Sequence, residues 1–226
     1  MRFSLSFIFI IICLSARAQS EFSSWNGIGV SYKQTKDLSF NFDAEIRIGN
    51  NLTKINRYYF TPGAKYDFSK LIRIGASYRF SVLPEDRDIG NRATVDLELR
   101  DLATTYLNSD RFDMNFRLRT TYSTFKYSRA EPIIRGKLLL TYNLPKTKLK
   151  PELAGEIFYG FNDQLVYTSD KVYGIHRFTK YRLRAGLDHS FGNHGINIFY
   201  QLQSAFGKDS YDHTLGIRYT KKIDRK

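Results

Sequence analysis

A histidine beside a hydroxyl is the simplest pair that could hydrolyse or transfer an acyl chain: the ring takes the proton and the oxygen attacks. The sequence has four histidines, His176, His189, His194 and His213. His189 precedes Ser190 and His213 precedes Thr214, but neighbours on an extended strand point to opposite faces. His189 and His213 are expected two strands apart and could share one rim. That is the basis of an alternative reading, a lipid-modifying enzyme of the phospholipase or acyltransferase type using rim histidines. His194, inside FGNHG, reads as a turn residue. There is no G-x-S-x-G nucleophile motif. No His and acidic set has metal-ligand spacing, and DIGNRATVD is not a calcium loop. The sequence therefore nominates no catalytic residue, no metal ligand and no cofactor, and the non-enzymatic reading leads.

The chemistry it does offer is charge. Lys and Arg number 35 against 22 Asp and Glu, a formal net charge of +13. Apart from KKIDRK at the C-terminus these charges form no run; they recur at alternate positions. In LSFNFDAEIRI, Leu38, Phe40, Phe42, Ala44, Ile46 and Ile48 alternate with Ser39, Asn41, Asp43, Glu45 and Arg47. IRIGASYRFSV sets Ile72, Ile74, Tyr78 and Phe80 against Arg73 and Arg79. FDMNFRLRTTYS, RATVDLELR and KYRLRAGLDHSF repeat the pattern, with Arg117 and Arg119, Asp96, Glu98 and Arg100, and Arg182, Arg184 and Asp188 on their polar sides. Period two is the signature of a strand with one wet and one apolar face. Looser copies run through WNGIGVSY, NRYYFTPGAKYDF, IIRGKLLLTYNL, LKPELAGEIFYG, GINIFYQLQS and HTLGIRYT, and no segment shows helical spacing. The chain is all-β.

The first residues differ. Arg2, an apolar run from Phe3 to Leu14, and ARA at Ala16 to Ala18 have the form of a secretory signal peptide, cleaved between Ala18 and Gln19. The expected domains are 1–18, the leader, and 19–226, the barrel. Cys13, the one cysteine, leaves with the leader, so the mature chain has no disulfide. Loss of Arg2 and Arg17 leaves a charge of +11. Such a basic, exported chain suits an anionic ligand or a lipopolysaccharide headgroup; nucleic acid is not expected.

The strands run to about 9–13 residues, longer than the usual five or six and matched to a tilted membrane crossing. Connections such as KQTKD, DFSK, NSDR, LPKTK and FGNHG are short. LPEDRDIGN, FKYSRAEP, FNDQLVYTSDKV and AFGKDSY are long and polar. Short turns at one end and long loops at the other are the asymmetry of an outer-membrane barrel. The apolar face also ends repeatedly in aromatics, among them Tyr66, Phe68, Tyr78, Phe80, Tyr142, Tyr159, Tyr200 and Tyr219, which suits two headgroup girdles. Pro62 interrupts the third strand and is expected at a bulge or a strand end.

The fold class is therefore an antiparallel up-and-down transmembrane β-barrel of 10–12 strands. The tally is eleven, but antiparallel closure needs an even number. Twelve is favoured, with the missing strand sought between Gly160 and Phe178. The apolar face meets lipid, and the polar face encloses a charge network. Its members are Asp43, Glu45, Arg47, Arg73, Arg79, Glu98, Arg100, Arg117, Arg119, Glu152, Glu156, Arg182, Arg184 and Asp188. Cross-strand pairing of these would plug a narrow barrel, or the cations would line a small anion-attracting pore.

In order, WNGIGVSY, LSFNFDAEIRI, RIGASYRF, FRLRTTYS, PELAGEIFYG, YRLRAGLDHSF and HTLGIRYT resemble the bacterial outer-membrane β-barrels catalogued as Domain of Unknown Function 2490. The resemblance implies a barrel in the outer membrane of a Gram-negative bacterium and brings no activity or catalytic residue. The expected partners are outer-membrane lipid, lipopolysaccharide and the barrel-assembly machinery. The sequence does not fix the oligomeric state.

Overall fold

The computed structural model describes residues 21–85, 88–109, 111–125, 128–167 and 172–225. The expected leader and its Ala18–Gln19 junction lie outside the described residues. Eleven strands follow one another: β1 (Glu21–Lys33), β2 (Leu38–Gly49), β3 (Lys54–Asp67), β4 (Ile72–Leu83), β5 (Asp88–Leu99), β6 (Phe112–Phe125), β7 (Ser128–Tyr142), β8 (Leu149–Tyr167), β9 (Val172–Phe191), β10 (His194–Ala205) and β11 (Asp212–Asp224). Among the described residues a single short helix, α1 (Leu102–Leu107), lies between β5 and β6. Each strand pairs antiparallel with the next, and the sheet closes on itself.

The strand number falls inside the expected range, at eleven and not the favoured twelve. Closure is achieved by a parallel pair. β1 runs beside β11 in unbroken register from Glu21↔Asp212 to Lys33↔Asp224. Among its described residues, the segment from Gly160 to Phe178 holds no extra strand. Residues 160–167 and 172–178 form the far ends of β8 and β9, which run to 19 and 20 residues. β7 pairs with β8 only as far as Ile133↔Gly160, so the rest is a two-stranded ribbon extending past its neighbours.

The loop asymmetry read from the sequence is reorganised. Most of the polar stretches expected as long loops are absorbed into β5, β7, β8 and β9. The long connection lies at the opposite end, between β5 and β6, where α1 sits between left-handed Asp101 and Asn108. Six residues are too few to carry a readable helical period. Pro62 also behaves differently. β3 passes straight through it and keeps its pairing to β2 at Phe42↔Pro62. Only the rungs to β4 between Phe60 and Gly63 are lost, as expected for a residue without an N–H. The irregularity in β3 falls instead at Arg47/Ile48 of its partner. The β9–β10 turn needs just Gly192 and Asn193, with Gly192 at φ +57.

The distribution of side chains is the reverse of a water-soluble barrel. Among the described residues, five apolar side chains are buried against thirteen polar or charged ones. The apolar alternates face outward: Ile28 is 64 % exposed, Leu153 61 % and Val95 58 %. The charged alternates face in: Glu156 is 7 % exposed and Asp96 5 %. Aromatic contacts gather on the outer face towards both ends. Tyr66 packs on Phe68 and Phe112 on Tyr142, each with ring centres 5.0 Å apart. Towards the other end, Tyr159 meets Phe178 at 5.3 Å and Tyr181 meets Phe206 at 5.5 Å. No described helix is long and apolar enough to cross a membrane.

Candidate functional site: the charged lumen

Strand register builds the lumen one rung at a time. Arg119 lies opposite Asp96 and Arg117 opposite Glu98 on the β5–β6 seam. Arg119 grips Asp96 with both nitrogens, at 2.5 and 2.6 Å, a bidentate fork. Glu156 lies opposite Lys137 and Arg182 on its two flanking strands. Its carboxylate is shared by three guanidiniums: Arg182 at 2.8 Å, and Arg117 and Arg135 each at 3.8 Å. Arg47 Nε donates to Glu45 Oε1 at 2.7 Å, and Arg218 reaches over β1 to Glu45 Oε2 at 3.2 Å. Arg184 faces Glu152 at 3.6 Å.

A second group sits at the rim where β3 turns into β4. Arg73 holds Asp67 at 2.5 and 3.1 Å and stands 3.8 Å from Glu98. Arg100, expected on a strand face, lies just beyond the end of β5. It reaches Asp67 at 3.3 Å and the Ser69 carbonyl at 3.1 Å. Asp43 and Asp188 are on the inward alternates, but neither forms an ion pair among the described residues. Asp188 accepts from the Ser190 hydroxyl, and Asn41 donates to Asp43 at 3.5 Å. Arg79 donates to the Thr61 hydroxyl at 3.1 Å.

Four aromatics inside the lumen were not singled out from the sequence: Trp25, Tyr59, Phe158 and Phe199. The Arg47 guanidinium lies 3.7 Å from the Trp25 ring centre and 4.5 Å from that of Tyr59. Arg182 stands 4.9 Å from Phe158 and 5.3 Å from Trp25, and Arg184 stacks on Phe199 at 3.4 Å. Parity would have found them. Trp25 shares a face with Gly27, Tyr59 with Thr61, Phe158 with Glu156, and Phe199 with Gln201. Phe199 lies over Gly216, directly opposite on β11, where a Cβ would collide with the ring.

These side chains divide the interior. A central cavity of about 270 Å³ is lined by eleven Lys or Arg side chains and four carboxylates. A second, of about 260 Å³, lies towards the start of β1, lined by Glu21, Ser23, Asn56, Arg57 and Asp212 among others. Trp25, Arg47 and Gln201 line both and form the layer between them.

The three described histidine side chains do not converge. His189 pairs with Ile196 and His213 with Leu202 on the intervening β10. Six residues along a strand separate them by about 20 Å. His213 contacts the Tyr200 hydroxyl. His194 Nδ1 is 2.5 Å from the Tyr219 hydroxyl, and His189 stacks on Phe191. Ser190 turns to the other face, towards Asp188. His176 has no described side chain. Among the described residues, no cluster of His, Asp or Glu could hold a metal ion.

Fold and site together define a closed β-barrel with an arginine-rich interior and an apolar exterior. The chain belongs to the family described as protein of unknown function DUF2490, whose model matches residues 22–213. No curated protein and no solved structure matches it.

Proposed function

We propose that the chain is an outer-membrane β-barrel, exported by its leader, that acts as a non-enzymatic binding or structural barrel with an ion-filled lumen. The observation that carries this is the inverted side-chain distribution, apolar outside and charged inside. A continuous apolar surface of that size has no partner in water. Lipid is a partner that covers it on all sides. The dimensions agree. Twelve residues span about 40 Å of strand, or about 30 Å of height at a tilt near 40°, matching a bilayer's hydrocarbon core. Lipid and lipopolysaccharide then contact the outer face, and the barrel-assembly machinery inserts it.

In this reading the Trp25–Arg47–Gln201 layer closes the lumen to free diffusion. A small pore is the second reading, favoured by the two cavities that flank this single layer. Purified protein in a planar bilayer separates them: the plugged barrel gives no steady conductance, and stepwise anion-selective currents would establish the pore instead. An enzyme is disfavoured by the distance between His189 and His213. A His189→Ala, His213→Ala double variant should leave any phospholipid hydrolysis in the preparation unchanged, and its loss would restore the enzymatic reading.

A further inference from the structure

We infer that the central cavity is a binding site for a small free phosphate-bearing anion; this rests on the barrel reading above. The first observation is register. Like charges directly opposite on adjacent strands are destabilising, yet Arg79 faces Arg92, Arg117 faces Lys137, and Arg119 faces Arg135. Three such pairs, one on the β4–β5 seam and two on the β6–β7 seam, line one cavity.

The second observation is that three of the four carboxylates lining the cavity, Glu45, Asp96 and Glu156, are already committed, and Asp43 alone forms no ion pair among the described residues. Asp96 is held bidentate by Arg119, and Glu156 is divided among Arg182, Arg117 and Arg135. Lys137 lies opposite Glu156 but makes no ion pair among the described residues, and the described contact of Arg92 is a hydrogen bond of 2.7 Å to the Ser123 hydroxyl. Buried Nε–H groups of Arg117 and Arg135 also lack an acceptor among the described residues. Arginine does not lose its proton in proteins, so these donors remain charged.

Guanidinium forks and an ammonium converging on a space of about 270 Å³ match the oxygens of a phosphate group, which accepts several charge-assisted hydrogen bonds at once. The ring of strands keeps lipid headgroups out of this space, so the ligand is a free anion from the aqueous side.

The test uses the full chain folded in a detergent without phosphate. Inorganic phosphate is titrated by calorimetry, with chloride at matched ionic strength and with added phosphatidylglycerol as separate arms. The expected result is saturable binding of phosphate and none of chloride. Arg92→Gln and Lys137→Gln, each first checked for heat-modifiable migration on a gel, should weaken it about tenfold or more. No binding to the wild type, equal response to chloride, or response to the lipid alone overturns the site. So does undiminished affinity in either folded variant. Should both variants fail to fold, the wild-type titration decides. The barrel reading fails differently: the wild type would lack heat-modifiable migration and stay dispersed without detergent.

Discussion

Glu156 is the residue on which the interior depends most. One carboxylate compensates three guanidiniums from β6, β7 and β9, so its loss leaves more than one buried cation without an acceptor. Glu156→Gln should destabilise the barrel by about 3 kcal/mol, the cost typical of breaking a buried ion pair from one side. Urea unfolding in micelles, followed by loss of β circular dichroism, measures it; an unchanged midpoint would contradict the shared role. Gly216 is the apolar counterpart. Its missing side chain is the seat of the Phe199 ring, which in turn carries Arg184. Gly216→Ala should cost about 1–3 kcal/mol by overpacking, and the double change with Phe199→Leu should recover part of it. No recovery in the double variant would rule out the collision as the cause.

At the scale of elements, two features carry distinct expectations. The closing seam is parallel, with a constant offset from Ser24↔Leu215 to Ile28↔Tyr219. Cysteine pairs at both rungs, in a Cys13→Ser background, should each oxidise to a disulfide within the chain, since Cα separations across a seam suit one. An antiparallel closure could satisfy at most one of them. The Trp25–Arg47 layer is the second. Trp25→Ala with Arg47→Ala should join the two cavities and produce conductance absent from the wild type; a silent double variant would place the barrier elsewhere.

Most of this architecture was legible because period two is a strong signal in strands of twelve or more residues. LSFNFDAEIRI and IRIGASYRFSV could be split into faces by inspection. What was lost was lost for physical reasons. Trp25, Tyr59, Phe158 and Phe199 sit on the charged face, where hydropathy alone argues against an aromatic, and stacking with guanidinium, with the seat over Gly216 for Phe199, explains them. Closure by a parallel seam leaves no trace in local pattern. Polar residues at 161–167 looked like loop because nothing local distinguishes a loop from the end of a projecting ribbon. The charged residues themselves were readable by alternation, but alternation could not tell that Arg100 had left its strand, or that Asp43 and Asp188 would form no ion pair.

For the molecule as a whole, one chain presents greasy alternates such as Val95 and Leu97 to the outside and Thr94 and Asp96 to the inside. The proposed function depends on what those outer alternates touch. A spin label placed in turn at positions 94, 95, 96 and 97, with the protein in bilayers, reads this directly through collision with oxygen, which concentrates in lipid, and with a water-soluble nickel chelate. We expect oxygen access to rise at 95 and 97 and fall at 94 and 96. High nickel access at 95 and 97, in a protein that stays dispersed without detergent, would contradict the membrane barrel.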